Sequence, residues 1–128
     1  EGDALSRVKA RAGTGAQEPW RQLSPSKEVV FPDLNALAYG PKVGIRFDER
    51  ANEIGAQANA VVWTGTLTSG KTGPATQLCP NPATFASWQS SSGNSLGIVG
   101  LVGGTNDSWT NDKPLPCDQR ARLLCLQM

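Results

Sequence analysis

The sequence predicts one α+β domain spanning residues 1–128: a short helix, two short strands, a second short helix, then further strands around a long irregular stretch. Three observations carry that expectation. A chain of 128 residues builds a single hydrophobic core. Its 14 Gly and 9 Pro favour many short strands and turns over long helices. Helical spacing of apolar residues occurs near the start, whereas later segments alternate with period two or run continuously apolar.

Asp3–Ala12 is the strongest helix candidate. Asp3 can cap the first-turn amides, Gly13 suits the left-handed residue that ends a helix, and Leu5, Val8 and Ala12 share one face. Arg7 and Arg11 stack four apart on another face, read as solvated. Trp20–Leu23 and Glu28–Phe31 read as strands joined by the Ser24-Pro25-Ser26 turn. Asp33–Tyr39 reads as a second helix, with Asp33 as cap, Leu34 and Leu37 on one face, and Gly40-Pro41 as the stop. Val43, Ile45 and Phe47 alternate with Gly44 and Arg46, the pattern of a half-buried strand. Asp48–Asn59 is a polar loop.

Ala60–Trp63 is continuously apolar and is expected as a central strand. Thr64–Gln77, rich in Gly, Ser and Thr, is expected on the surface. The irregular region continues through residues 80–96, pinned by Phe85 and Trp88, and Leu96–Val102 and Arg122–Leu126 close the set of strands. Trp63, Trp88 and Trp109 are expected in the core and Trp20 against the first helix. An irregular stretch as long as Thr64–Leu96 needs a role or a staple, and Cys79 lies within it. A disulfide from Cys79 would supply one, typically stabilising by about 2–4 kcal/mol.

Composition removes several function classes. Twelve Lys+Arg balance eleven Asp+Glu, against the basic excess of nucleic-acid and membrane-surface proteins. No apolar run approaches the roughly 20 residues of a membrane span, so no membrane insertion is expected. The polar start, without a secretory leader, is expected of a mature chain or an excised domain. Histidine is absent, which removes the commonest general base and metal ligand. No acid–base or nucleophile constellation assembles from what remains, so no catalytic residue is assigned.

The closing run WTNDKPLPCDQRARLLCLQM holds Cys117 and Cys125, which makes the cysteine count odd with Cys79. Its Trp109-Thr110-Asn111-Asp112, Pro116-Cys117 and Cys125 resemble the Trp-Asn-Asp strand and last two cysteines of the C-type-lectin-like superfamily, with one residue inserted between Trp and Asn. VVFPDLNALAYG (Val29–Gly40), VVWTGTLTSG (Val61–Gly70) and the opening GDALSRVKARAG resemble segments of the endostatin-like branch, and bacterial secreted endostatin-like domains are the most similar group. The resemblance touches most of the chain in order. It implies a C-type-lectin-like fold, two short helices around a mostly antiparallel twisted sheet with a long irregular loop region.

The resemblance also implies nested disulfides: Cys79 with Cys117, and Cys125 with a cysteine of the first helix, where this chain has Ser6. Cys125 is then read as a buried free thiol behaving as a small hydrophobe. A bridge to another chain and a catalytic thiol are the competing readings, the latter lacking a histidine to activate it. A Cys117–Cys125 bridge is disfavoured because both flank one short segment.

Sugar-binding relatives that use calcium carry a Glu-Pro-Asn or Gln-Pro-Asp triplet beside the Asn-Asp pair. Neither triplet occurs here, and Asn111-Asp112 reads as a turn entering the last strand pair. Endostatin's zinc histidines are absent as well, so neither metal nor cofactor is expected. Asn106-Asp107-Ser108 is a glycosylation sequon of slight weight. The ligand surface is expected on the loops Gly103–Asp112 and Ser90–Asn94, with Asn106, Asp107, Asn111, Asp112, Ser92 and Asn94 as candidates. Endostatin's heparin-binding arginines suggest a second candidate, a basic patch of Arg7, Arg11, Arg120 and Arg122 where helix and last strand meet.

The expected function is a non-catalytic, secreted or surface-displayed module, a bacterial outer-surface or periplasmic location included, that binds an extracellular protein or glycan in adhesion. The alternative is an assembly domain that binds another subunit of its own complex, self-association included.

Overall fold

A computed structural model describes residues 4–12, 18–48, 50–54 and 60–123. The architecture is α+β, with one α-helix, three short 3-10 helices and two sheets among the described residues. Helix α1 (Ala4–Ala12) is followed by β1 (Trp20–Arg21) and β2 (Val29–Phe31), which pair antiparallel. The main sheet contains β3 (Val61–Trp63), β4 (Leu96–Leu101), β5 (Lys113–Pro116) and β6 (Arg122–Leu123) in the order β5-β4-β3-β6. Its pairings are antiparallel except for β3 with β6, which is parallel. The proposed helix caps Asp3 and Gly13, and Cys125, lie outside the described residues.

The hairpin carries one half of the core. Val30, Phe31, Leu34, Leu37 and Trp109 are buried together, with Val8, Trp20, Ala36 and Ile45 packed around them. Phe31 is the hub: Trp20 meets it edge-on at 6.4 Å and Trp109 lies 5.2 Å away between ring centroids. Full burial of an aromatic ring of this kind is worth about 1.5–3 kcal/mol. Trp20 therefore packs on Phe31, and the helix reaches the same cluster through Val8. The other half of the core belongs to the main sheet, where Val62, Ile98 and Val99 are buried beside Leu78 and Cys79.

The second helix forms at its expected place but as a 3-10 helix, Leu34–Ala38. The Asp33 carboxylate accepts the amides of Asn35 and Ala36, and the Tyr39 amide donates to the Ala36 carbonyl three residues back. Gly40, at φ +91°, then turns the chain into buried Pro41. Five residues offer too few i→i+4 bonds to repay α-helix nucleation, and the tighter turn uses the cap instead.

The strand expected at Val43–Phe47 does not form. Its alternation is present, with Ile45 turned to the core and Arg46 to solvent, but its backbone groups go to separate partners. The Gln22 side-chain oxygen accepts the Arg46 amide, Gly103 donates to the Ile45 carbonyl, and Ile54 donates to the Arg46 carbonyl. Gly44 is pressed so closely on the Gly103 backbone that a Cβ would overlap it. Conversely, β5 escapes the sequence reading because Pro114 and Pro116 argue against a strand. It is an edge strand, where a missing amide donor leaves no gap in a ladder. Thr64–Gln77 is only partly superficial: Gly65 and Gly73 are buried, and Thr66 bridges Thr72 across a tight hairpin.

Candidate functional site

The loop after β4 is a chain of capped turns. The Gly104 amide returns to the Leu101 carbonyl, and the Asn106 side-chain oxygen accepts both the Ser108 amide (3.0 Å) and the Ser108 hydroxyl (2.7 Å). This cap starts the 3-10 helix Asp107–Trp109, which drives Trp109 into the core. The Asn111 amide then donates to the Asp107 carbonyl, and the Asp112 amide to the Val99 carbonyl at 2.8 Å, opening β5. Asn106, Asp107, Asn111 and Asp112 are thus gathered on one exposed turn, with Asn111-Asp112 leading into a strand pair. Among the described residues no group of three or more His, Cys, Asp or Glu is placed to hold a metal ion.

Ser92 and Asn94 sit elsewhere. Their loop is a run of serine turns in which Ser90 caps the Ser92 amide, Ser92 caps the Asn94 amide, and Ser95 returns to the Ser92 carbonyl. It meets the far end of β5, where the Cys117 amide donates to the Ser95 carbonyl. The two candidate loops therefore lie at opposite ends of the β4–β5 ladder, whose register runs from Val99↔Lys113 to Leu96↔Pro116. At about 3.4 Å per residue they are separated by the whole length of that ladder and do not form one site.

A third feature dominates the serine-loop end. Cys79 and Cys117 form a disulfide with Cα atoms 5.7 Å apart. The Cys79 amide bonds to the Leu96 carbonyl of β4, and the Cys79 carbonyl accepts the amides of Gln89 and Ser90. Between these anchors the chain makes a tight loop. The Asn81 side chain caps the amides of Ala83 and Thr84, the Asn81 carbonyl accepts the Phe85 amide at 2.7 Å, and the Leu78 carbonyl accepts the Trp88 amide at 2.6 Å. Ser95 ties this loop to the serine turns through the Pro80 carbonyl and the Ser90 hydroxyl.

The loop carries Phe85 and Trp88 in the reverse of their expected role. Phe85 is 72% exposed and Trp88 48%, so neither pins the irregular region as a core residue. The local hydrogen bonds and the disulfide hold that region instead. Both aromatics have positive φ, 56° and 59°, a conformation bulky side chains rarely adopt. Trp88 is only half seated: its ring meets half-buried Trp63 at 6.0 Å and lies against Gly65. Asp118 borders the same end, its carboxylate pressed against Gly93. Sequence reasoning named Phe85 and Trp88 as buried pins, not as surface residues, and passed over Asp118. The signal that marks the two aromatics is that no residue from Thr72 to Asn106 is charged, so they have only neutral neighbours along that stretch of chain.

Of the basic candidates, Arg7 and Arg11 are exposed on α1, and Arg120 and Arg122 are exposed at β6. Helix α1 packs on Leu34–Ala38 and β6 on β3, so the two pairs ride on different neighbours. No known family model, curated protein or solved structure matches the chain.

Proposed function

We propose that this chain is a non-catalytic, secreted or surface-displayed binding module of C-type-lectin-like, endostatin-like fold, adhering to a host or matrix macromolecule or glycan. The observation that carries this reading is the exposure of Phe85 and Trp88 on a loop stapled to the main sheet through Cys79–Cys117. Rigid scaffolds that present irregular loops are the usual setting for recognition. The disulfide supports an oxidising compartment, where such bonds persist. The lack of histidine supports binding over catalysis.

The test is an array of glycans and matrix proteins probed with the purified chain, with light scattering in parallel. A saturable hit by monomeric protein is the expected result. Silence on the array together with a stable oligomer would replace adhesion by assembly. Calorimetric titration with calcium is expected to show no stoichiometric heat.

A further inference from the structure

We infer that the ligand surface is the Phe85–Trp88 face at the disulfide end of the main sheet and that it takes an uncharged carbohydrate. The inference rests on the binding-module reading above and assigns it a site and a ligand class.

Two large aromatics are turned to solvent on backbone that disfavours them, while local hydrogen bonds and the neighbouring disulfide hold the loop in place. Such conformations persist where the surroundings over-determine them, and they cluster at ligand clamps. Trp88 is held on one side by Trp63 and Gly65 and is still 48% exposed to solvent. A pre-fixed ring loses little freedom on binding, the condition under which a weak stacking contact yields useful affinity.

Charge decides the class of occupant. The segment Thr72–Asn106, which supplies this face, holds no Lys, Arg, Asp or Glu. Phosphate backbones, anionic lipids and sulfated polysaccharides are captured by clusters of Lys and Arg, which this segment lacks. Exposed Gln89 follows Trp88 directly, and the serine turns that carry exposed Ser92 and Asn94 are tied to the same loop through Ser95, with the Asp118 carboxylate against Gly93 of those turns. A pyranose matches that combination. Its C–H face carries slight positive charge and sits on the negative face of an aromatic ring. Its hydroxyl edge exchanges hydrogen bonds with amides, hydroxyls and a carboxylate.

The experiment is a titration of the intact chain with cellotetraose, maltotetraose and chitotetraose, read by tryptophan fluorescence and saturation-transfer NMR. Heparin tetrasaccharide and phosphatidylcholine vesicles serve as the other arms. At least one neutral tetrasaccharide is expected to bind saturably and without salt dependence, and heparin is not. Phe85→Ala and Trp88→Ala are each expected to weaken binding about tenfold, a typical effect of removing an aromatic anchor. Tyr39→Ala, which removes a ring 82% exposed elsewhere, is expected to leave it unchanged. Near-UV circular dichroism separates loss of fold from loss of contact, and Phe85→Ala, which removes a mostly exposed ring, keeps the test valid if Trp88→Ala disturbs Trp63. Sugar binding that survives both substitutions overturns the site. Binding of heparin, vesicles or a matrix protein alone, abolished by Phe85→Ala, overturns the carbohydrate class and leaves the binding-module reading standing. Silence with every probe and on the array overturns both.

Discussion

The indoles of Trp63 and Trp88 meet edge to face, ring centroids 6.0 Å apart and planes at 72°. One comes from the central strand β3 and the other from the loop after Cys79, so this contact joins the sheet to the candidate ligand face. Gly97 of β4 makes the junction possible. It lies two residues from Val99, the strand partner of Trp63, which places it diagonally beneath that ring on the same face.

Substitution of Gly97 by Val is the direct test of this packing. A Cβ there would stand 2.6 Å from the Trp63 ring and 2.8 Å from the Cys79 sulfur. Both neighbours are held, one by the strand and one by a disulfide. The expected loss is about 1–3 kcal/mol in urea unfolding, typical of an overpacked site, with a changed near-UV signal from the tryptophan pair. Unchanged stability and spectrum would show that Trp63 does not cover Gly97.

Replacing both Cys79 and Cys117 by Ser removes the clamp on the aromatic loop. The bond closes a sequence separation of 38 residues, for which the chain-entropy account gives a loss of roughly 4 kcal/mol at most. The amides of Trp88, Gln89 and Ser90, which donate to the Leu78 and Cys79 carbonyls, are expected to exchange faster than those of β2. Equal protection of both regions in the variant would mean that hydrogen bonds alone hold the loop.

How legible this structure is in the sequence depends on where each backbone group finds its partner. Local devices read well: Asp33 caps the turn it is placed to cap, Leu34 and Leu37 are buried together, and Gly40 ends the element. Val61–Trp63 and Leu96–Leu101 declare themselves as central strands by apolar runs. Val43–Phe47 has equally good alternation, yet its donors and acceptors are claimed by Gln22, Gly103 and Ile54, the first two of them distant in sequence. Edge strand β5 is hidden by prolines that only its position in the sheet makes harmless. At the candidate site, side-chain type predicts burial for Phe85 and Trp88, and the reversal arises from non-local clamps around Cys79.

Asp48 gives the fold a dependence on acid. Its carboxylate is held below the usual aspartate range chiefly by the Asn52 amide, against some burial that pushes the other way, and further by the Arg50 amide, the Asn52 side chain and the Arg50 charge. The three hydrogen bonds span 2.9–3.2 Å. A folded pKa below the unfolded one stabilises fully above the unfolded value, near 3.9, and the contribution disappears as pH falls through the folded value. Urea midpoints of the wild type are therefore expected to fall more steeply below about pH 4 than those of Asp48→Asn. An NMR titration placing the Asp48 carboxyl at or above the ordinary value would overturn this.

Thr110 offers a change that should strengthen the protein. Its side chain is buried, and its hydroxyl has no hydrogen-bond partner among the described residues. The residue's backbone carbonyl, by contrast, accepts the Thr64 hydroxyl, so the position is anchored through its main chain. Valine matches threonine in shape and preserves that backbone bond while removing a buried polar atom. A stranded buried hydroxyl costs about 1–3 kcal/mol, so Thr110→Val is expected to raise the unfolding free energy by roughly 1 kcal/mol. Thr64→Val, which deletes the donor to the Thr110 carbonyl, is expected to lower it by a similar amount. Urea unfolding of the two variants reads opposite signs if the hydroxyl at position 110 is stranded. A loss in Thr110→Val would reveal a partner for it, an ordered water or a residue beyond those described.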